Sequence, residues 1–364
     1  MKTIYYKSLI VFVLIAFALL SFIIFLNYYG DGGNRFFQAD NFENKLADSL
    51  LKNNSVFVCV NYNDRNIKKI LLNKLKTSPA MLVLGSSRTM SLTSSLFSNL
   101  NFFNGSVTSA NMEDDIALYY LFERRGWKPK TVLIGLDPWI LNKSNGSSLW
   151  KATFLYDYGK ASRQFFGNKE NLFQPYAKLS AWFENIIPLL SSSYLRSSIQ
   201  NFIHKGDLSF KIIKSTQNQP NDYPGCHLHL PDGTRLTSKE DESNSSERAD
   251  YAGAVEMHHF SSASLLPIKD KMQIFEKFIA YLLRQGIKII FYLPPYEPTA
   301  YSVIQSNPNY KMIQMTEDYF RASAAKYHIK IIGSYNPVAL NLHSNDFIDE
   351  VHLKQKGINK IFKR

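Results

Sequence analysis

Three short stretches of this chain hold residue types that together can do acyl chemistry. The first is Leu82–Met90, LVLGSSRTM, where an apolar run opens into Gly85-Ser86-Ser87-Arg88. A glycine permits a tight strand-to-helix turn. A serine held on such a turn shows its Oγ at the edge of a sheet and its N–H to a developing oxyanion. A serine-rich helix cap is the plainer reading of the same residues. The second stretch is Phe347–Gly357, FIDEVHLKQKG, with Asp349-x-x-His352 ahead of a helical pattern. In a loop entering a helix, this spacing lets the carboxylate accept from the imidazole Nδ1–H and leaves Nε2 to take a proton from a serine. The third is Phe102–Asp115, where Asn104-Gly105-Ser106 follows two phenylalanines. Gly105 either brings a backbone N–H close to a substrate oxygen or serves as an ordinary turn between strand and helix.

Arg88 directly follows Ser87. Its planar fork suits a carboxylate or phosphate of an acceptor, and equally an ion pair with Asp114, Asp115 or Asp137. Cys226-His227-Leu228-His229 carries metal-ligand residue types, and His258-His259 lies further on, but no complementary pair sits at ligand spacing. No metal ion and no cofactor is expected. Leu230–Arg235, LPDGTR, reads as a hairpin turn with Asp-Gly at its tip.

Elements able to hold these residues follow from the hydrophobic pattern. From Met81 onward, short apolar runs alternate with helical stretches: Met81–Leu84 precedes Met112–Phe122, Ile268–Gln285 precedes Ile287–Leu293, and Tyr310–Tyr327 precedes Ile329–Ile332, with a further run at Thr131–Leu136. Runs that are apolar on both faces and separated by helices predict a parallel sheet covered on both sides, a three-layer α/β/α domain. Ser87, Gly105, Asp137 and the Asp349/His352 pair all fall beyond the ends of strands, where open α/β sheets bind ligands. Residues 31–80 read as a juxtamembrane segment with helical spacing at Phe42–Leu51 and Asn66–Leu75. An insertion runs from about 143 to 263: an aromatic half, Trp150–His204, helical around Pro175–Leu195, and a polar half, Ser215–Tyr251, in which Lys239–Asp250 reads as a solvated loop or disordered tract.

The chain order of serine turn, glycine turn and terminal Asp-x-x-His resembles the SGNH/GDSL hydrolase superfamily, over about Met81–Leu136 and Gly286–Lys363. The resemblance implies a flavodoxin-like fold, with Ser87 as nucleophile, Gly105 as oxyanion glycine, and Asp349 and His352 completing a triad. More narrowly, the apolar N-terminus, GSSR, LIGLDPW (Leu133–Trp139) and FYLPPYEP (Phe291–Pro298) are similar to membrane-anchored SGNH-like proteins of bacterial envelopes, the D-alanyl-lipoteichoic-acid and alginate O-acetylation proteins. That likeness implies an acyl donor, an envelope polysaccharide or glycolipid acceptor, and a membrane-bound O-acyltransferase as partner. One departure stands out. The superfamily's third block is Gly-x-Asn-Asp, whose Asn completes the oxyanion hole, whereas this chain has Gly135-Leu136-Asp137-Pro138-Trp139. A carboxylate repels an oxyanion, so Asp137 does not replace that Asn. It organises its loop or contacts a sugar hydroxyl, and Trp139 is either a sugar-stacking platform or a core residue.

Composition and the N-terminus narrow the setting. Of the 364 residues, 45% are hydrophobic and 20% charged, which excludes a disordered chain, and two cysteines exclude a disulfide framework. One Cys59–Cys226 bridge is left open. Ser8–Leu26 is a stretch of 19 uncharged residues, roughly the length that spans a bilayer core. Lys2 and Lys7 precede it, while Asp31 and Arg35 beyond it cancel. The positive-inside rule then predicts a cytoplasmic N-terminus and an extracytoplasmic body, with Tyr5, Tyr6, Tyr28 and Tyr29 at the interfaces. A cleaved signal peptide is the competing reading, but no small-x-small site follows Leu26. The net charge of +12 is scattered rather than striped, so an anionic envelope surface is expected rather than nucleic acid. The functional expectation is a serine O-acyltransferase or esterase acting on an envelope glycan. The alternatives are a non-catalytic assembly factor on the same fold and a polysaccharide-binding module.

Overall fold

The computed structural model describes residues 2–31, 39–59, 62–98, 101–142, 149–167, 186–203, 210–214, 223, 225–243, 245 and 269–363. His258-His259, most of Pro175–Leu195 and half of the Lys239–Asp250 tract lie outside them; the described start of that tract, Lys239–Ser243, is a short helix rather than the expected loop. The chain is α/β. Strand β1 (Asn54–Val58) is followed by β2 (Met81–Leu84), β3 (Phe102–Asn104) and β4 (Thr131–Gly135); β5 (Phe210–Lys214), β6 (His227–His229) and β7 (Arg235–Thr237) come next, and β8 (Lys288–Leu293) and β9 (Lys330–Gly333) last.

Five strands form a parallel sheet in the order β3-β2-β4-β8-β9. These strands form because each is a short apolar run whose alternate residues meet two different cores. Leu82, Leu84, Val132, Ile134, Phe291 and Leu293 face one, built with the helices Met112–Glu123, Leu149–Phe166, Lys269–Arg284 and Lys311–Tyr327. Met81, Val83, Leu133 and Tyr292 face the other, with Phe347, Leu353 and the helix Gln355–Phe362. Counted within this sheet, the strand order is 2-1-3-4-5. The direction of growth therefore reverses at β2, and the crevice at its C-terminal end is the topological switch point. Ser87 sits two residues past Gly85 in that crevice.

A second, antiparallel sheet, β5-β1-β6-β7, was not expected in residues 31–80, which read as helical. That segment does hold the helices Ala39–Leu51 and Asp64–Lys74, but β1 lies between them and pairs with strands from the insertion. Phe42, Leu46, Leu50, Val56, Val58, Ile67 and Leu71 belong to the main core, so the segment is part of the body rather than a stalk. Val58 pairs with His227, which sets the next residues, Cys59 and Cys226, opposite each other, and they form a disulfide across 167 residues of sequence. Cross-linking so distant a pair constrains the unfolded chain strongly. Replacing both cysteines by serine is expected to destabilise the body by about 2–5 kcal/mol. The check is the urea midpoint of the oxidised parent against the double variant; equal midpoints would mean that strand pairing alone holds this sheet.

The N-terminal helix, Lys2–Gly30, contains one segment long and apolar enough to cross a membrane, Tyr6–Gly30, with its side chains exposed over most of that length. Its foot is tied to the body: Asn27 Nδ2 donates to Leu189 O (2.7 Å), and Tyr194 Oη donates to Asp31 (3.1 Å).

Candidate active site

The turn after β2 is shaped by Gly85, whose φ of +137° lies where side-chain-bearing residues are strained. A Cβ there would also stand 2.8 Å from Thr89 Oγ1 and 3.1 Å from Gly135 Cα. The chain then winds tightly through Ser86–Ser91 instead of entering the expected helix. Ser86 O accepts from Thr89 N–H (3.0 Å) and Thr89 Oγ1 (2.8 Å), and Ser87 O accepts from Met90 N–H (3.3 Å). Asn104, fully buried at the end of β3, clamps this turn by donating from Nδ2 to the carbonyls of Thr89, Met90 and Leu92.

Asp349 and His352 come from a loop closed by the bridge between Phe347 and Leu353, with Ile348 N–H donating to His352 O (2.8 Å). Asp349 Oδ1 accepts from the backbone N–H groups of Val351 (3.0 Å) and His352 (2.7 Å). Its carboxylate meets His352 Nδ1 at 2.7 and 2.9 Å, and His352 Nε2 lies 2.8 Å from Ser87 Oγ. A carboxylate only accepts, so Nδ1 carries the ring proton and Nε2 is left to accept from the serine hydroxyl. Partial burial works against the Asp349 charge, but the imidazole and the two N–H donors outweigh it and hold this carboxyl below its ordinary range. Ser87 and His352 are half-buried, open to solvent on one side.

Three assignments made from sequence need correction. Gly105 N–H donates to Val83 O (2.8 Å), continuing the β2–β3 ladder, and is not turned toward Ser87 as an oxyanion donor. Ser87 N–H, by contrast, makes no hydrogen bond to any described residue. Arg88 and Asp137 do not line a substrate surface either. Their side chains are each 1% exposed and form an ion pair at 3.0 Å. Arg88 also donates to Pro294 O and Pro295 O (2.6 Å each) and to Val351 O (3.2 Å), and its guanidinium lies 4.4 Å from the Tyr296 ring centroid. Burial pushes the Asp137 carboxyl above its ordinary range despite Arg88 and the Ser86 hydroxyl. Trp139 is half-buried against the main core and donates from its indole to Ala110 O (3.1 Å), which is the core reading rather than the stacking one.

Residues outside those singled out for catalysis close one side of the crevice. The β6–β7 hairpin, with Gly233 at φ +85° in its tip as the Asp-Gly signal predicted, docks on the nucleophile's turn: Arg235 N–H donates to Met90 O (2.9 Å). Metal-ligating side chains do not group in threes among the described residues, and His229 bonds Tyr62 Oη (2.8 Å) instead. Comparison with protein-family models gives no match for this chain, and comparison with curated proteins gives none either. Taken alone, the geometry is that of a serine hydroxyl in line with an imidazole and a carboxylate, with one backbone donor open beside it.

Proposed function

We propose that this protein is a serine-dependent acyl-transferring enzyme, an esterase or O-acyltransferase, anchored in a membrane and acting on an extracytoplasmic envelope polysaccharide or glycolipid. The observation that carries it is the unbroken Ser87–His352–Asp349 hydrogen-bond line, 2.8 and 2.7 Å, at the switch point of the sheet. Ser87 Oγ attacks the acyl carbonyl of a donor while its proton passes to His352 Nε2, and Asp349 stabilises the imidazolium. Ser87 N–H faces the developing oxyanion. The donor's leaving group takes the proton, and a sugar hydroxyl or water then attacks the acyl-serine by the same route. The flavodoxin-like strand order and the SGNH-type order of serine turn and Asp-x-x-His support this reading. The Cys59–Cys226 disulfide suits an oxidising compartment, and therefore a body outside the cytoplasm. A membrane-bound O-acyltransferase is the partner that the envelope resemblance implies.

A second reading, a non-catalytic assembly factor, is favoured by one observation: Gly105 N–H is spent on Val83 O and no third-block Asn is present, so the oxyanion hole has a single evident donor. Labelling separates the two. Full-length protein in detergent micelles is treated with a fluorophosphonate probe and the adduct mapped by peptide mass. The expected result is one adduct on Ser87, absent in Ser87→Ala; a folded protein that takes no label would favour the assembly factor.

A further inference from the structure

The N-terminal helix is gripped at its foot by the insertion. Among the described residues, the principal contacts of Lys2–Gly30 are with the short 3-10 helix Ile187–Leu190 and the helix Ser192–Ile203. The approach is close: a Cβ on Gly30 would stand 2.6 Å from Ser198 Cβ and 2.9 Å from the Phe202 ring. Tyr194, whose hydroxyl donates to Asp31, Ser198 and Phe202 are spaced four apart, so they form one face of their helix, turned to the anchor. Ile23, Ile24 and Leu26 are part-covered at this end, whereas Tyr6 to Phe22 are exposed.

The next row of Ser192–Ile203 is uncovered. Ile199 and Ile203, about 100° round from the anchor-facing row, are 44% and 70% exposed, and Phe202 and Leu190 are exposed with them. These four are most of the large apolar side chains left exposed outside the N-terminal helix among the described residues. Such a concentration on one short stretch marks a contact surface. Its level is fixed by the anchor. Leu189 O meets Asn27 and Phe202 meets Gly30, so the strip lies where the uncharged stretch ends and Tyr28 and Tyr29 stand exposed. A spanning helix passes at that level from acyl chains to headgroups, and what surrounds it there is lipid. The strip continues the exposed surface of the anchor itself, at Phe25 and Tyr29. Arg196, one turn before Ile199, is exposed too, and its long stem lets the guanidinium reach phosphates while its methylenes stay on apolar surface.

We propose that Ser192–Ile203 is a second membrane contact, an interfacial helix whose Ile199, Phe202 and Ile203 enter the lipid leaflet on the body's side, with Leu190 beside them. The body is then held to the bilayer at a fixed tilt rather than on a free tether. This rests on the reading of Tyr6–Gly30 as a membrane span, and the experiment separates the two. Phe17→Cys, Ile199→Cys, Ile203→Cys and Lys288→Cys are made singly in the full-length protein, in which Cys59 and Cys226 are already bridged. All four positions are exposed, so the substitutions leave the packing intact, and melting temperatures equal to the parent's check this. Each thiol is spin-labelled and the protein reconstituted into liposomes of phosphatidylcholine and phosphatidylglycerol. Electron paramagnetic resonance compares collisions with oxygen, which concentrates in lipid, and with a water-soluble nickel chelate. The labels at 199 and 203 are expected to show an oxygen-to-chelate ratio about ten times that at 288, at a depth of about 5–10 Å, with the label at 17 deeper. Chelate access at 199 and 203 with the label at 17 in lipid overturns the interfacial helix and leaves the span. Chelate access at 17 removes the span and the proposal with it. Labels at 199 and 203 shielded from both reagents place a second copy of the chain on the strip and overturn lipid as its occupant. An equal oxygen preference at 288 also overturns the proposal, because lipid contact would not be confined to this helix.

Discussion

Replacing His352 by alanine is expected to slow fluorophosphonate labelling of Ser87 by about ten-thousandfold or more, because the serine hydroxyl loses the one base that the described residues place within hydrogen-bond reach. Asp349→Asn is expected to cost no more than this, on the order of ten-thousandfold, and for a different reason. The amide Nδ2–H in place of a carboxylate oxygen would donate to Nδ1, driving the ring proton to Nε2, where it can no longer accept from Ser87. Two side chains that merely cap a loop would give neither result. The same carboxylate predicts an acid-side effect on stability. Its pKa is lower in the folded than in the unfolded chain, so its contribution is complete above the ordinary carboxylate range and disappears as pH falls through the depressed value. Parent and Asp349→Asn should thus differ in urea midpoint at pH 6 and converge at the most acidic pH the fold survives. A His352→Ala protein that labels at the parent rate would reduce the 2.8 Å contact to a structural one.

How much of this was readable beforehand depends on whether a feature is local. β2, β4 and β8 were legible because MLVL, TVLIG and KIIFYL are short runs apolar on both faces between helical stretches, the pattern of strands in a doubly covered sheet. Ser87, Asp349 and His352 were legible as candidates because each lies just beyond a strand or ahead of a helix. β1 was not, since NSVFV takes its partners from the insertion, and its pairing with His227–His229 is carried by residues some 167 positions away. Only the alternation of Val-Phe-Val against His-Leu-His, joined by the two cysteines, hinted at it.

Backbone partners account for the corrected assignments. Nothing in Asn-Gly-Ser states whether Gly105 N–H points to Val83 O or to a substrate, because the direction is set by β2–β3 register. Arg88 was weighed against carboxylates, and one, Asp137, is indeed there; its other acceptors are the carbonyls of Pro294, Pro295 and Val351, which have no signature in side-chain sequence.

Arg88→Met is expected to destabilise the body by about 3–5 kcal/mol, because Asp137 would be left as an unpaired buried carboxyl together with three carbonyls short of a donor. A fall in melting temperature of about 10 °C follows. The larger consequence is positional. Through one guanidinium, Arg88 joins the turn that carries Ser87, the end of β4 at Asp137, the chain leaving β8 at Pro294 and Pro295, and Val351 in the Asp349–His352 loop. Removing it frees that loop to drift from Ser87, and a displacement near 1 Å costs about a hundredfold in rate. Arg88→Lys keeps the charge but lacks the fork, so it cannot reach the carboxylate and the carbonyls together. Ile279→Ala, in the fully buried face of a helix on the far core, provides a destabilised comparison with the loop intact. At a temperature where circular dichroism shows every variant folded, Arg88→Met and Arg88→Lys are expected to label Ser87 about a hundredfold more slowly than the parent, and Ile279→Ala at the parent rate. Parent-rate labelling in Arg88→Met would confine this ion pair to stability and leave the Ser87–His352 distance to the Phe347–Leu353 bridge and the Gln355–Ser91 bond alone.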